Sequence, residues 1–445
     1  MNWILIVWGM IEALWGYAQL LGFLPSLNDR YLVTGSFFNP GPYCAFLGCI
    51  MPVAVYMALR KRNRAEEFGG WTYIIAGVAL MPMLMGRTGW LAAGVGSAAV
   101  WWFMVFKPRR HISWGYRRIF TLSILIMAVI GAMLYLIKPA SALGRVFIWM
   151  MAADAMWNDA GVGWSYVAGA IGEAQERYFA SHPDSIFVSV AGSPEFAFNE
   201  FLQVGLAGGY LSLILFIVIP LIFTWIAYHS HNYGIWGSWI ALLITCMGSY
   251  PLQFVTFRVL FGVLAVLTVY HCITYLPDGR KRFITRPEWK CYAALGILYM
   301  ILVAGTWLFA VMIPENDRGA EILFERGKVL RHAGRLEESN EVLHEGLKMS
   351  GDPMFLNLIG RNMQDLHNCN EAERYYRRSI NRLPSRLYPY YLLCKMYAEG
   401  ECRDSAKFYE IRDRALHLDV KVGSPAMEQM LEEIKNLGGE NQRGS

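Results

Sequence analysis

Apolar residues run in long, nearly unbroken stretches through the first 313 positions, and the pattern then changes to a charged, helix-periodic one. Crossing a bilayer takes about 20 predominantly apolar residues with every backbone group bonded internally, which for segments of this kind means helices. Nine stretches meet that description, near 3–24, 41–59, 71–86, 90–106, 119–137, 209–228, 235–251, 254–276 and 291–313. Beyond 313, apolar positions recur at helical spacing among charges, the pattern of water-soluble helices packed along one face. The expected fold is all-α: a polytopic membrane helix bundle of about nine spans over 1–313, followed by a helical domain over 314–445.

Charge gives this division a direction. Only 17% of the 445 residues are charged, yet residues 314–445 hold 20 of the 40 Lys and Arg and 22 of the 35 Asp and Glu. The net charge of +5 therefore comes from the loops of the membrane part and is not the footprint of a nucleic-acid binder. Basic residues gather between spans in Arg60–Arg64, in Lys107 to Arg118 and in Arg280 to Lys290. The positive-inside rule assigns these segments to the cytoplasm. The N-terminus is then cytoplasmic, and an odd number of spans puts the tail outside. Met1 leads straight into an apolar stretch without a basic region, so no cleavable signal peptide is expected.

The opposite face receives the 25–40 loop, the turn at Arg87 and the long 138–208 segment. That segment carries Asp154, Asp159, Glu173, Glu176, Asp184, Glu195 and Glu200 against only Lys138, Arg145 and Arg177. Loops of this length inside a compact domain are functional or disordered. Trp149, Trp157 and Trp164 speak for short helices lying against the outer face of the membrane. The eight cysteines form no C-x-x-C pair and no zinc spacing, so no metal site is expected. Five of them lie in or beside apolar segments, where they read as small hydrophobic residues.

In the tail, Gly327, Gly360 and Cys394 are spaced 33 and 34 residues apart. Gly360, Ala372, Tyr376 and Pro384 fall at the small, small, aromatic and helix-ending positions of a repeating helix pair, with Glu371–Tyr376 as its second helix. Weaker copies cover about 320–353 and 387–420, with Ala406 at the small position of the last. The period and pattern resemble a tetratricopeptide array, which buries its apolar faces only by stacking. An unrelated bundle of helical hairpins is the alternative. Such an array has no chemistry of its own, and its concave face is expected to bind a peptide, another protein or its own membrane domain.

Charged side chains at membrane depth are costly and mark function by default, which singles out Glu12, Arg87 and Arg258. Arg87 lies in Gly86-Arg87-Thr88-Gly89-Trp90 between two apolar helices; as an isolated residue it would read as a snorkelling interfacial arginine. Arg145 follows in Gly144-Arg145-Val146-Phe147-Ile148-Trp149. Further on come Gly161-Val162-Gly163 and Phe198-Asn199-Glu200-Phe201-Leu202, closing at Gly205 and Gly208.

Together with Gly35-Ser36-Phe37-Phe38-Asn39-Pro40, and in this order, these stretches resemble the O-antigen ligase and polymerase superfamily, over about residues 30–276. A tetratricopeptide tail is a common companion of that family. The resemblance implies a glycosyltransferase of the bacterial inner membrane with its repeat domain in the periplasm. It would move a glycan from an undecaprenyl diphosphate carrier to a lipid A-core, glycan or protein hydroxyl, without metal or cofactor. Arg87 and Arg145 would clamp the diphosphate, since guanidinium forks bind phosphate oxygens bidentately at constant charge. Asn199 and Trp149 would contact substrate.

Two features depart from the family. The histidine expected before Asn199, thought to be the general base, is Phe198, and only one span precedes the Gly35–Pro40 element where relatives usually have several. Glu200, Glu195 and His182 are the remaining candidates for the base, because a desolvated carboxylate titrates nearer neutrality. Glu200 taken alone could equally lie on the wet face of an amphipathic helix. The second reading of the chain is a catalytically degenerate member acting as a membrane scaffold through its repeats. A transporter ranks third, because intramembrane acids are few.

Overall fold

The computed structural model describes residues 2–60, 63–106, 139–274, 319–418 and 424–437. Among these, every regular element is helical. The first group comprises α1 (Trp3–Leu20), α2 (Pro40–Arg60), α3 (Arg64–Leu84), α4 (Arg87–Phe106), α5 (Pro139–Asp159), α6 (Val167–Ser181), α7 (Glu200–His229), α8 (Tyr233–Gly248) and α9 (Val255–Thr274). The tail contributes α10 (Gly319–His332), α11 (Leu336–Met349), α12 (Met354–Asp365), α13 (Cys369–Arg382), α14 (Leu387–Ala398), α15 (Ser405–Leu416) and α16 (Pro425–Asn436).

Six of the described helices are long and apolar enough to cross a membrane: α1, α2, α3, α4, α7 and α9. The span expected at 235–251 is α8, an apolar helix of only 16 residues. Those expected at 119–137 and 291–313 lie outside the described residues. The third span is longer than the apolar run predicts and begins at Arg64, because the Asn63 side chain accepts from the Ala65 N–H (3.0 Å) and starts the helix among charged residues.

By contacts the chain divides into two compact units, interleaved in sequence: 1–137 with 198–201 and 213–312, and 138–197 with 202–212 and 313–445. The first unit is built around α2, which is buried along nearly its whole length. Lipid tails are as apolar as leucine, so helices in a bilayer associate through close packing and not through the hydrophobic effect. Small residues permit that here. A Cβ on Gly48 of α2 would stand 2.5 Å from the Gly89 carbonyl oxygen of α4, and one on Gly70 of α3 would stand 2.6 Å from that of Ala54. At the α4–α8 crossing, a Cβ on Gly96 would stand 2.7 Å from the Gly237 oxygen. Tyr73 of α3 reaches between helices and donates to the Leu47 carbonyl at 2.9 Å.

The second unit combines α5 and α6 with the tail. Phe147, Met151, Ala152 and Ala155 of α5 bury against Val167, Ile171, Ala174 and Phe179 of α6. The tail helices pair as α10–α11, α12–α13 and α14–α15, with α16 closing the row against α14 and α15. The 33-residue spacing of two glycines has a steric basis: Gly327 lies against Leu343 and Gly360 against Tyr376, and a Cβ at either would come within 2.6 Å of that side chain. Cys369 and Cys402 form a disulfide across 33 residues, beside a His367–Glu401 contact of 2.7 Å. The sequence gives no C-x-x-C signal for this bond. Stacking of successive hairpins is what brings the two cysteines together.

The acidic segment that contains α5 and α6 is held to the tail through α6, which packs on α11 and α13. A Cβ on Gly172 would stand 2.6 Å from Gly351 Cα, so the two backbones approach directly. Glu176 accepts from Arg378 Nε (2.5 Å) and Arg382 Nη2 (3.0 Å), while Gln175 Nε2 donates to the carbonyls of Arg382 and Gly192. The Arg382 side chain is only 3% exposed, and burial pulls its guanidinium below its ordinary value while Glu176 opposes that shift. Removing one partner of a buried pair leaves the other charge uncompensated and costs about 3–5 kcal/mol. Glu176→Ala is therefore expected to lower hydrogen-exchange protection in peptides covering both 167–181 and 369–382, with the six spans unaffected. Unchanged protection in both peptides would show that α6 is not anchored by this pair.

Candidate functional site

At one end of the first unit, four separated pieces of chain meet: the 34–40 loop, the 85–88 turn, the 198–200 approach to α7, and the 248–254 turn between α8 and α9. The first is shaped by two polar side chains of α1. Gln19 Oε1 accepts from the Thr34 and Gly35 N–H groups (2.9 and 2.8 Å), and Glu12 accepts from Ser36 Oγ (2.7 Å) and Ser36 N–H (3.3 Å). Glu12, singled out as a charge at membrane depth, thus secures the loop that carries Asn39. Asn39 Oδ1 caps the start of α2 by accepting from the Gly41 N–H (2.9 Å), and its Nδ2 donates to Tyr250 Oη at 3.4 Å.

Arg87 is the first residue of α4 and is partly buried. The turn before it has Met85 in the left-handed region (φ 47°) and Gly86 against Cys44. Next to Arg87, Thr88 Oγ1 donates to the Gly248 carbonyl at 3.2 Å, which ties the α3–α4 turn to the end of α8. Phe198 also has a left-handed backbone (φ 52°), costly for a bulky residue and a frequent mark of functional or tightly determined sites. Its ring meets Tyr250 edge-on at 5.0 Å. Asn199 Oδ1 accepts from the Phe201 N–H (3.0 Å), so this oxygen caps α7.

Glu200 does not lie on a wet face: it is fully buried. Its Oε1 accepts from the Leu252 N–H at 2.6 Å, while its Oε2 has no hydrogen-bond partner. Arg258 holds the same turn from the other side, donating from Nε to the Leu252 carbonyl (2.6 Å) and from Nη2 to that of Gln253 (3.2 Å). Arg258, singled out as a charge at membrane depth, is a backbone clamp. Glu200 and Arg258 together fix residues 251–253, and with them Tyr250.

Arg145, Trp149 and Glu195 belong to the second unit, the first two partly buried on α5 and the third exposed. His182, also there and exposed, stacks on Tyr178 at 4.7 Å. The Gly161-Val162-Gly163 turn has a definite structural task in the same unit. Helix α7 breaks at Gly209 (φ 78°), which frees carbonyls of the preceding turn. The N–H groups of Gly161 and Val162 donate to the Leu206 carbonyl (2.8 and 3.1 Å), and that of Gly163 donates to Ala207 (2.9 Å). Gly161 and Gly163 both have φ near +90°, so larger residues would be strained at either position.

Sequence reasoning passed over Tyr250 and Thr88, which join these pieces. The available signal was Tyr250-Pro251 closing a short span. Among the described residues, no group of three or more His, Cys, Asp or Glu is placed to hold a metal ion. No protein-family profile, curated protein or solved structure matches the chain.

A buried N–H deprived of its acceptor costs about 1–3 kcal/mol. Glu200→Leu is therefore expected to speed exchange of the Leu252 amide by about tenfold or more, whereas Glu200→Gln retains an oxygen and the protection. Equal protection in the two variants would mean that the 251–253 turn stands without this bond.

Proposed function

We propose that the chain is a membrane glycosyltransferase of the O-antigen ligase and polymerase type, acting at the outer face of the bacterial inner membrane. The observation that carries this reading is the convergence in the first unit of Asn39, the Arg87 turn and Phe198–Glu200, far apart in sequence, on the 248–254 turn, through Tyr250, Gly248 and Leu252. In this reading an acceptor hydroxyl attacks the anomeric carbon of a glycan carried on undecaprenyl diphosphate. The bond to the diphosphate oxygen breaks and the lipid diphosphate leaves. Arg87 and Arg145 neutralise the charge that develops on it, an electrostatic role needing no proton transfer. Phe198 cannot accept the hydroxyl proton; Glu200, with one carboxylate oxygen unpaired, is the base in this proposal, and Glu195 is the other carboxylate candidate. Asn199 and Trp149 are assigned to substrate contact.

The tail is read as a tetratricopeptide-like domain in the periplasm. Its helical hairpins at a 33-residue glycine spacing support the first part, and the Cys369–Cys402 disulfide supports the second, because such bonds persist in oxidising compartments. A catalytically degenerate scaffold is the second reading, favoured by the complete burial of Glu200 and by Phe198 in the base position. Deleting the tail would not separate the two, since α6 would lose its packing partners.

Conservative substitutions separate them better. Arg87→Lys and Arg145→Lys are each expected to abolish glycan transfer, measured as loss of long-chain product, while the protein still inserts; Glu200→Gln should do the same with the Leu252 amide still protected. Transfer undiminished in both arginine variants removes the diphosphate clamp. A cellular role left intact in both arginine variants, with long-chain product absent, identifies the scaffold. For orientation, a membrane-impermeant maleimide should label Cys369 and Cys402 on the outer face only after reduction. Labelling of unreduced thiols from the cytoplasmic side would refute the periplasmic placement.

A further inference from the structure

Arg145 and Trp149 stand on α5, two residues either side of Phe147. A helix turns about 100° per residue, so both positions lie nearly opposite that phenylalanine. Phe147 is 1% exposed, and its ring is enclosed by Phe187, Phe179 and Tyr178, at 4.9, 5.3 and 5.4 Å. Phe179 and Tyr178 belong to α6, and Phe187 to a short helical turn at 186–189. These three rings fix the rotation of the first half of α5 about its own axis. The other end of α5 has a separate support, because Tyr210 Oη donates to the Met156 carbonyl at 3.1 Å.

Helix α6 is itself seated on the second helices of the first two hairpins of the tail. Gly169 lies directly against the Lys348 carbonyl, as Gly172 does against Gly351. Glu176 is the acceptor for both Arg378 and Arg382. Gln175 Nε2 donates to the Arg382 carbonyl and also to that of Gly192, at 3.1 Å. The second of these bonds holds the segment that supplies Phe187. The same segment brings the Val190 carbonyl to Gly144, the residue before Arg145, where a Cβ would stand 3.6 Å from it. Both walls around Phe147 are therefore tied to the tail through Gln175 and Glu176.

We infer that Glu176 and Gln175 are positioning residues for Arg145: through α6 the tail sets the rotation of α5, and with it the place of the guanidinium. The inference rests on the proposed role of Arg145 as half of the diphosphate clamp. A misplacement of about 1 Å in a group that positions substrate costs up to about a hundredfold. The tail then contributes to the site as a brace, through the backs of its hairpins and without a ligand of its own. A merely structural contact would weaken the site whatever residue stood at 145. A positioning contact acts only while Arg145 is there to be positioned.

The test uses the full-length protein in lipid nanodiscs, with undecaprenyl diphosphate as the ligand and hydrogen exchange as a second readout. Glu176→Gln is expected to weaken binding about tenfold and to raise exchange in peptides covering 141–150, with α2 unchanged. In an Arg145→Lys background the same substitution should cost no more than about twofold, whereas in an Arg87→Lys background the full loss should remain. Gly172→Ala, which presses α6 away from Gly351 without altering a charge, should reproduce the loss. Retention of the Cys369–Cys402 disulfide checks that the tail stays folded in each variant. The inference is overturned if Glu176→Gln and Gly172→Ala both leave affinity unchanged, or if Glu176→Gln costs as much with Lys at 145 as with Arg. Failure of the unaltered protein to bind undecaprenyl diphosphate is a different result: it removes the clamp itself, and the positioning role with it.

Discussion

A helix wholly surrounded by protein inside a bilayer gains nothing from hiding apolar side chains, because its alternative surroundings are equally apolar. What holds it is close approach of backbones, and α2 meets its neighbours in that way: Gly48 against Gly89, and Ala54 against Gly70. The rest of the membrane unit depends on this packing. The start of α2 carries Asn39, its crossing with α4 sets the Arg87 turn, and the α4–α8 crossing at Gly96 and Gly237 sets the 248–254 turn. If α2 were displaced, Asn39 and the Arg87 turn would not meet the 248–254 turn.

The polar groups of the membrane unit follow from the same constraint. Every backbone group at depth needs a partner, and at two interruptions of the described helices side chains supply it. Gln19 and Glu12 serve the 34–36 loop, and Glu200 and Arg258 serve the 251–253 turn. In the second unit, the glycine turn at 161–163 serves the carbonyls freed at Gly209. Structural duty and chemistry are not alternatives at Glu200. One oxygen holds a turn and the other is unpaired, a division that keeps the carboxylate in place for any reaction it performs.

Much of this organisation was legible in the chain. Apolar stretches located the six described spans, because a bilayer imposes a length and a composition on whatever crosses it. The 33-residue spacing of Gly327 and Gly360 announced stacked hairpins, because only a residue without a side chain fits beneath Leu343 or Tyr376. Phe198, Asn199 and Glu200 stood out as a group. Their meeting with Tyr250 and Leu252 did not, since the partners are about 50 residues away and the turn holding them has no periodic pattern.

The sequence by itself determined which segments are apolar enough to span, where a second and charged regime begins, and that two glycines of the tail recur 33 residues apart. These properties follow from local composition and from the absence of a single Cβ. The tertiary structure alone decided that the acidic 138–197 segment joins the tail's unit, through Glu176 and Arg382. It alone decided that Cys369 meets Cys402, that Glu12 and Arg258 serve the backbone, and that Glu200 is buried. Apart from the Arg258 clamp, which reaches back only six residues, each of these depends on positions distant in the chain. A pairing depends on where whole helices pack, and no residue carries that information in its immediate neighbours.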